Sequence, residues 1–326
     1  MSTAVLSVSS ATAAPKQTIK QVQKRVDALQ DQVDQATEDY DQTRERLKSM
    51  SIRLKASATQ LKAQRIQVQR ARDQLGMLAS EAYQKGQLST LDLVLSDDPE
   101  SALAQAGYLP SLGDRQAAAM NRLKQGEQDL LATQTQIKTQ QKDAKAAQAK
   151  LRSSRKTIQK KLAEATAEVS KLKASQRAAL NSANQSRNNA GLPSGGAPAA
   201  CTDAEDNAPS SAARTAIKYA CAHLGDAYVW GADGPSTFDC SGLTMRAYGA
   251  AGISLPHSAR SQANYGTRVG PAVSSLEPGD LIFFDSPIGH VAIYLGHDLM
   301  IHAPHTGDVV RVASVYSSPV AAVKLA

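Results

Sequence analysis

Aromatic side chains make up only 4% of the 326 residues, and the first 190 are dominated by Gln, Ala, Lys and Ser. That poverty excludes a compact core in this stretch and fits long solvated helices. The single tryptophan, Trp230, and all three phenylalanines, Phe238, Phe283 and Phe284, fall late in the chain, so a globular core is expected only towards the C-terminus. No run is apolar and long enough to span a bilayer. The net charge of +7 arises from the first 200 residues, which carry 30 Lys and Arg against 19 Asp and Glu, a net of +11. No aromatic or glycine-rich recognition element accompanies it, which argues against nucleic acid as a partner. A solvated helical surface, or attraction to an anionic polymer or membrane, accounts for the excess.

Cysteine is rarer still, with Cys201, Cys221 and Cys240 alone. An odd count in an exported chain fits one bridge and one free thiol. Cys201 and Cys221 are the candidate pair, leaving Cys240 free; three reduced thiols are the alternative. Export itself is suggested by residues 1–15, which end in Ala11-Thr12-Ala13-Ala14-Pro15, like the small-residue end of an export signal. They are read as a remnant of one.

What the chain does have is periodicity. From Ile19, apolar residues recur at 3,4 spacing through Val22, Val26, Leu29 and Val33 to Leu75, Leu78 and Ala82, broken only at Thr43, Ser57 and Gln64. Such a run predicts a coiled coil. A second helical stretch runs from about Asp114 to Ser186, with one apolar residue in seven from Leu130 to Ala179 and a weaker seam at Gln134, Gln141, Gln148 and Arg155. The pair predicts an antiparallel hairpin over residues 16–186, with intermolecular pairing as the competing arrangement. Between the helices, residues 86–113 read as a small helical tip. Leu88, Leu91, Val94 and Leu95 lie there at helical spacing, and a helix start is expected at Pro99. The leucines either pack on the stalk or offer an apolar docking surface. Residues 187–211 are rich in Gly, Pro, Ser and Asn and read as a flexible linker.

Residues 212–326 alternate element types. Helices are expected at 212–224 and 241–251, and strands at 280–284, 290–295, 299–302 and 309–312. That order predicts an α+β domain, with helices packed on an antiparallel sheet. Cys240 falls where a polar loop meets a helix start, a place whose dipole favours a thiolate. His290 heads an apolar strand and can serve as base. His302 lies on the next strand, 12 residues on, where adjacent antiparallel strands make it a neighbour of His290 and the group that steers it. A zinc site built from Cys240, His290, His302 and His305 lacks the tight paired spacing such sites show, so no metal or other cofactor is assigned.

The runs AYVWGADGPSTFDCSGL, LPHSARSQ, EPGDLIFF, GHVAIYLG and IHAP, in this order, resemble the NlpC/P60 family across residues 212–326. The resemblance implies a papain-like α+β fold and a Cys240–His290–His302 site. It also implies that Tyr228 and the backbone N–H of Cys240 hold substrate or the oxyanion, with Ser241, Asp239 and Gln262 near the cleft. His257 stands where family members commonly carry Arg. The implied activity is that of a secreted, wall-associated cysteine peptidase. It would cleave an amide in peptidoglycan stem peptides as a D,L-endopeptidase at the D-Glu–diamino acid link. An amidase or acyltransferase of the same fold, or a non-catalytic wall scaffold, are the alternatives. The layout further resembles hydrolases of cell division and separation, in which the hairpin regulates or localises the enzyme through a membrane complex of the FtsEX type. For this chain that docking is expected at Leu88, Leu91, Val94 and Leu95.

Overall fold

The computed structural model describes residues 19–84, 99–172, 174–189 and 191–325. The N-terminal half is helical, with α1 over Ile19–Gln84, α2 over Pro99–Ser170 and α3 over Ala174–Asn189. Two compact bodies divide the chain: residues 46–148 form one, and the described residues of 1–45 and 149–326 form the other.

Within 46–148 the two long helices pair antiparallel. Arg72 meets Glu127 at 2.8 Å, and Val68 lies against Gly126, where a Cβ would come 3.0 Å from its Cγ2. The Arg72–Glu127 pair is exposed and contributes about 0–1 kcal/mol. Burial of Val68 and Ala119 along the seam does more to hold the pair. Residues 99–113 of the expected tip belong to α2, which begins at Pro99 as expected. Leu88, Leu91, Val94 and Leu95, and the expected export-signal remnant at 1–15, lie outside the described residues.

In the other body, α1 and α2 also run antiparallel, with Val22 packed against Leu172 and Arg25 paired with Glu168. The segment expected to be a flexible linker is instead structured. Gly196–Asp206 forms helix α4, and its Ala200, Cys201 and Ala204 enter the main core. Cys201 is bonded to Cys221 of helix α5 (Ser211–Ala222), and Cys240 is the free cysteine. Ala-rich faces let α4 and α5 approach closely enough for that bond, a packing signal that Gly and Pro around the helix obscured. Ser210 caps α5 by accepting from the Ala213 N–H at 3.0 Å.

The layer expected to be catalytic follows. A two-residue parallel pair, β1 (Ala227–Tyr228) and β2 (Thr237–Phe238), precedes α6 (Cys240–Ala250) and the short α7 (Ala259–Gln262). Six strands complete it: β3 (Thr267–Val269), β4 (Leu281–Phe284), β5 (His290–Gly296), β6 (Leu299–His302), β7 (Arg311–Ser314) and β8 (Ala321–Lys324). They form one antiparallel sheet of order β3-β8-β4-β5-β6-β7. Alternation sorts its two faces. Leu281, Phe283, Val291, Ile293 and Ile301 pack on α5 and α6, while Ile282, Phe284, Ala292, Tyr294 and Met300 form a second cluster. The architecture is therefore an α+β domain preceded by a long helical hairpin.

Candidate active site

Cys240 is the first residue of α6, so its backbone N–H has no partner within the helix. The preceding Asp239 is the N-cap. It accepts from the Gly242 N–H at 2.6 Å and the Gly231 N–H at 2.8 Å, and Ser241 Oγ donates to it at 3.2 Å. His257 Nε2 lies 2.9 Å from both Asp239 oxygens. Gly242 permits this arrangement, because a Cβ there would stand 2.2 Å from the Ala232 carbonyl oxygen. The loop at 231–233 therefore closes onto the start of α6 and fixes the place of Cys240.

His290 opens β5 and His302 closes β6, at the same end of adjacent strands. Ile293 pairs with Ile301, so His302 falls diagonally across from His290 on one face. Their rings meet, with His290 Nε2 2.9 Å from His302 Nδ1. That contact leaves Nδ1 of His290 for the thiol. The Val291 N–H, next in sequence to His290, bonds to the Cys240 sulfur. The structure thus pairs His290 with His302 and sets Cys240 beside Val291, the residue that follows His290.

Tyr228 is buried there as well; burial first, then Asp34 and Cys240, push its hydroxyl well up. The other three residues expected at the cleft have internal work. Gln262 is fully buried, donates to the Ser241 and Pro256 carbonyls at 2.9 Å each, and accepts from Thr244 at 2.7 Å. It ties α7 to α6 and has no group left for a substrate. Asp239 and Ser241 are likewise consumed in the cap.

The electrostatics depart from the expectation of a dipole-lowered thiol. The Cys240 thiol is pushed well above its ordinary value, by burial first and then by the Asp239, Glu38 and Asp34 carboxylates, against which the Val291 N–H acts weakly. Burial pulls His290 down to about 3, aided by the positive groups of His305 and Arg311. His302 is pulled down too, by burial first and then by His290 and Arg311. Desolvation outweighs the helix dipole, so thiol and imidazoles are all neutral in this arrangement.

The desolvation has a visible source that the sequence concealed. Residues 35–44 of α1 lie on the catalytic layer. Gln35 donates to the Pro287 carbonyl at 2.8 Å, and Arg44 donates to the Gly231 carbonyl at 2.9 Å. Tyr40 meets Trp230 edge-on, with centroids 5.3 Å apart. Glu38 is buried at the start of α7, accepting from Ser258 Oγ, the Ala259 N–H (2.8 Å) and the Arg260 N–H (3.1 Å). Arg260 in turn holds Asp39 at 2.6 Å. Beside this contact lies a cavity of about 590 Å³, lined by Asp31, Asp34, Asp285, His290, His302, Arg311 and Tyr316 among others. Tyr316, not singled out in the sequence, stacks on Phe284 and stands 6.2 Å from the His302 ring.

One trio among the described residues, Asp41, Asp239 and His257, brings ligand atoms within 4.8 Å of one another. Asp239 is already filled by backbone N–H groups and His257, so we read the trio as a hydrogen-bonded cluster and assign no metal to it.

The fold is a papain-like α+β domain that carries a thiol at a helix start and a pair of sheet-borne imidazoles in contact with each other. Residues 225–325 match the model of the NlpC/P60 family, so this part of the chain is an NlpC/P60 domain. It is 45% identical over 106 residues to a probable endopeptidase of Mycobacterium tuberculosis, covering 32% of this chain and 27% of that protein. It is 51% identical over 87 residues to the probable endopeptidase p60 of Listeria monocytogenes, covering 26% of this chain and 18% of that protein. The chain thus spans about a quarter or less of these curated relatives. Among solved structures, the NlpC/p60 domain of the peptidoglycan hydrolase SagA is 39% identical, with 34% of this chain and 97% of that domain covered and a TM-score of 0.32.

Proposed function

We propose that this chain is a wall-associated cysteine peptidase that hydrolyses an amide bond in peptidoglycan stem peptides, at the D-Glu–diamino acid link. The observation that supports the reading is the His290–His302 contact on β5 and β6, with Cys240 at a helix start beside Val291. The names of the relatives, endopeptidases and a peptidoglycan hydrolase, point the same way.

The chemistry follows from the geometry. His290 takes the Cys240 proton, and its imidazolium is steadied through Nε2 by His302. The thiolate adds to the amide carbonyl, and the developing oxyanion is met by the Cys240 N–H, with the Tyr228 hydroxyl beside it. His290 returns the proton to the departing amine, leaving an acyl-thioester. Water then attacks, again deprotonated by His290, and frees Cys240.

The same reading makes α1 a cover. Glu38 and Tyr40 occupy the catalytic layer next to Cys240, and the neutral thiol suits a resting state. A membrane complex of the FtsEX type, acting on the hairpin during cell division or separation, is the agent this reading supplies for lifting it, in a secreted protein at the cell surface. The test is mass analysis of fragments released from purified walls by the full chain, with and without the candidate partner. The reading expects fragments cut at the D-Glu–diamino acid bond, in larger yield with the partner. Fragments cut at another amide would replace it with an amidase or transferase.

A further inference from the structure

The face that α1 presents to the catalytic layer is acidic, which is a poor choice for a permanent interface. Asp34, Glu38 and Asp41 lie one helical turn apart and point the same way. Glu38 is 2% and Asp41 1% exposed. They meet further acids: Asp239 faces Asp41, Asp285 faces Asp34, and Asp31 adds a charge from α1 itself. Available cations are few. Arg260 is engaged by Asp39 and Gln35, and Arg44 stands 3.9 Å from Asp41 while donating to Gly231. Arg311, His290, His302 and His305 line the cavity, and Asn181 and Gln185 of α3 bring no charge to it. Asp41 Oδ1 is buried with no hydrogen-bond partner. Such a cluster is stable only when it holds protons that solvent-exposed carboxyls would give up.

We propose, resting on the cover described above, that α1 is a proton-held catch: Asp34, Glu38 and Asp41 seat on the catalytic layer while protonated, and α1 lifts as rising pH strips them.

The directions agree. Burial raises all three carboxyls while α1 is seated, and neighbouring acids raise Asp34 and Asp41 further; hydrogen bonds from Ser258, Ala259 and Arg260 partly offset this at Glu38. A group raised in the seated state favours seating below its free value, near 4, and that preference is lost as pH climbs through the raised value. The buried imidazoles act oppositely. His290 and His302 are lowered, so protonation below about 6.5 favours the open state. The catch is therefore read above that pH. The Cys240 thiol is raised as well and pulls in the same direction as the carboxyls, so it has to be removed to see them.

Trp230 is the only tryptophan, and it touches Tyr40, so its emission reports seating without reference to hydrolysis. The experiment titrates the full chain from about pH 6.5 to 9, in the natural sequence, in Cys240→Ala, and in an Asn variant that adds Asp34→Asn, Glu38→Gln and Asp41→Asn to Cys240→Ala. Far-UV circular dichroism follows folding throughout. The first two should show a red shift of emission as pH rises at constant helicity. The Asn variant, which mimics the protonated groups, should hold the seated emission across the range. A flat titration in Cys240→Ala overturns the catch, as does an Asn variant that shifts like its parent. A catch that works in a protein releasing no wall fragments would instead count against the hydrolase reading alone.

Discussion

His290 Nε2 and His302 Nδ1 lie 2.9 Å apart, and this contact orients the imidazole that has to serve the thiol. Replacing His302 by Ala frees the His290 ring while leaving the thiol in place. Turnover should fall about 100-fold, the usual scale for loss of a general acid–base arrangement, with little change in KM. His302→Gln, which can still hydrogen-bond, should recover part of the rate. A KM effect with unchanged kcat would place His302 in substrate binding instead.

Glu38 makes three hydrogen bonds to the Ser258–Arg260 segment from a position on α1. Hydrogen bonds of this kind are worth about 0.5–1.5 kcal/mol each, so losing all three should loosen the cover. Glu38→Ala should raise the rate of Cys240 alkylation by iodoacetamide at neutral pH by about 10-fold or more. An unchanged rate would mean that α1 does not govern access to the thiol.

The Cys201–Cys221 bond closes a 20-residue separation between α4 and α5. Loops of this size give about 3 kcal/mol through the unfolded chain. Reduction should lower the melting temperature of the catalytic body by several degrees, measured by calorimetry with and without reductant. The same shift in Cys201→Ala without reductant would assign the effect to this bond.

Gly242 has no room for a Cβ, since the Ala232 carbonyl oxygen would lie 2.2 Å away. Gly242→Ala should push the 231–233 loop off α6, breaking the Gly231 and Gly242 bonds to Asp239. We expect loss of activity together with altered Trp230 emission in a chain that keeps its helicity. Full activity in Gly242→Ala would show that this loop does not position Cys240.

The helices, the sheet and the His290–His302 contact were legible because each rests on local pattern. Heptads name α1, alternation names β4 to β6, and a 12-residue spacing across a short turn brings His290 to His302. Helix α4 was not legible, because its Gly and Pro neighbours mimic a linker and only the buried Ala200 and Ala204 reveal packing. Gln262 was read towards the cleft for lack of any sign that Thr244, Ser241 and Pro256 would consume it. The acidic face of α1 was the larger miss. Asp34, Glu38 and Asp41 lie off the apolar seam, where charge ordinarily means solvent, and their burial depends on a surface some 200 residues away in the chain.

The central claim is that Cys240 is the nucleophile of a wall-peptide hydrolase. It is tested most directly by mass analysis of fragments released from purified peptidoglycan by the full chain carrying Glu38→Ala, beside the same chain with Cys240→Ala added. The account predicts stem-peptide fragments from the first and none from the second, with identical circular dichroism. Equal release by both would contradict it.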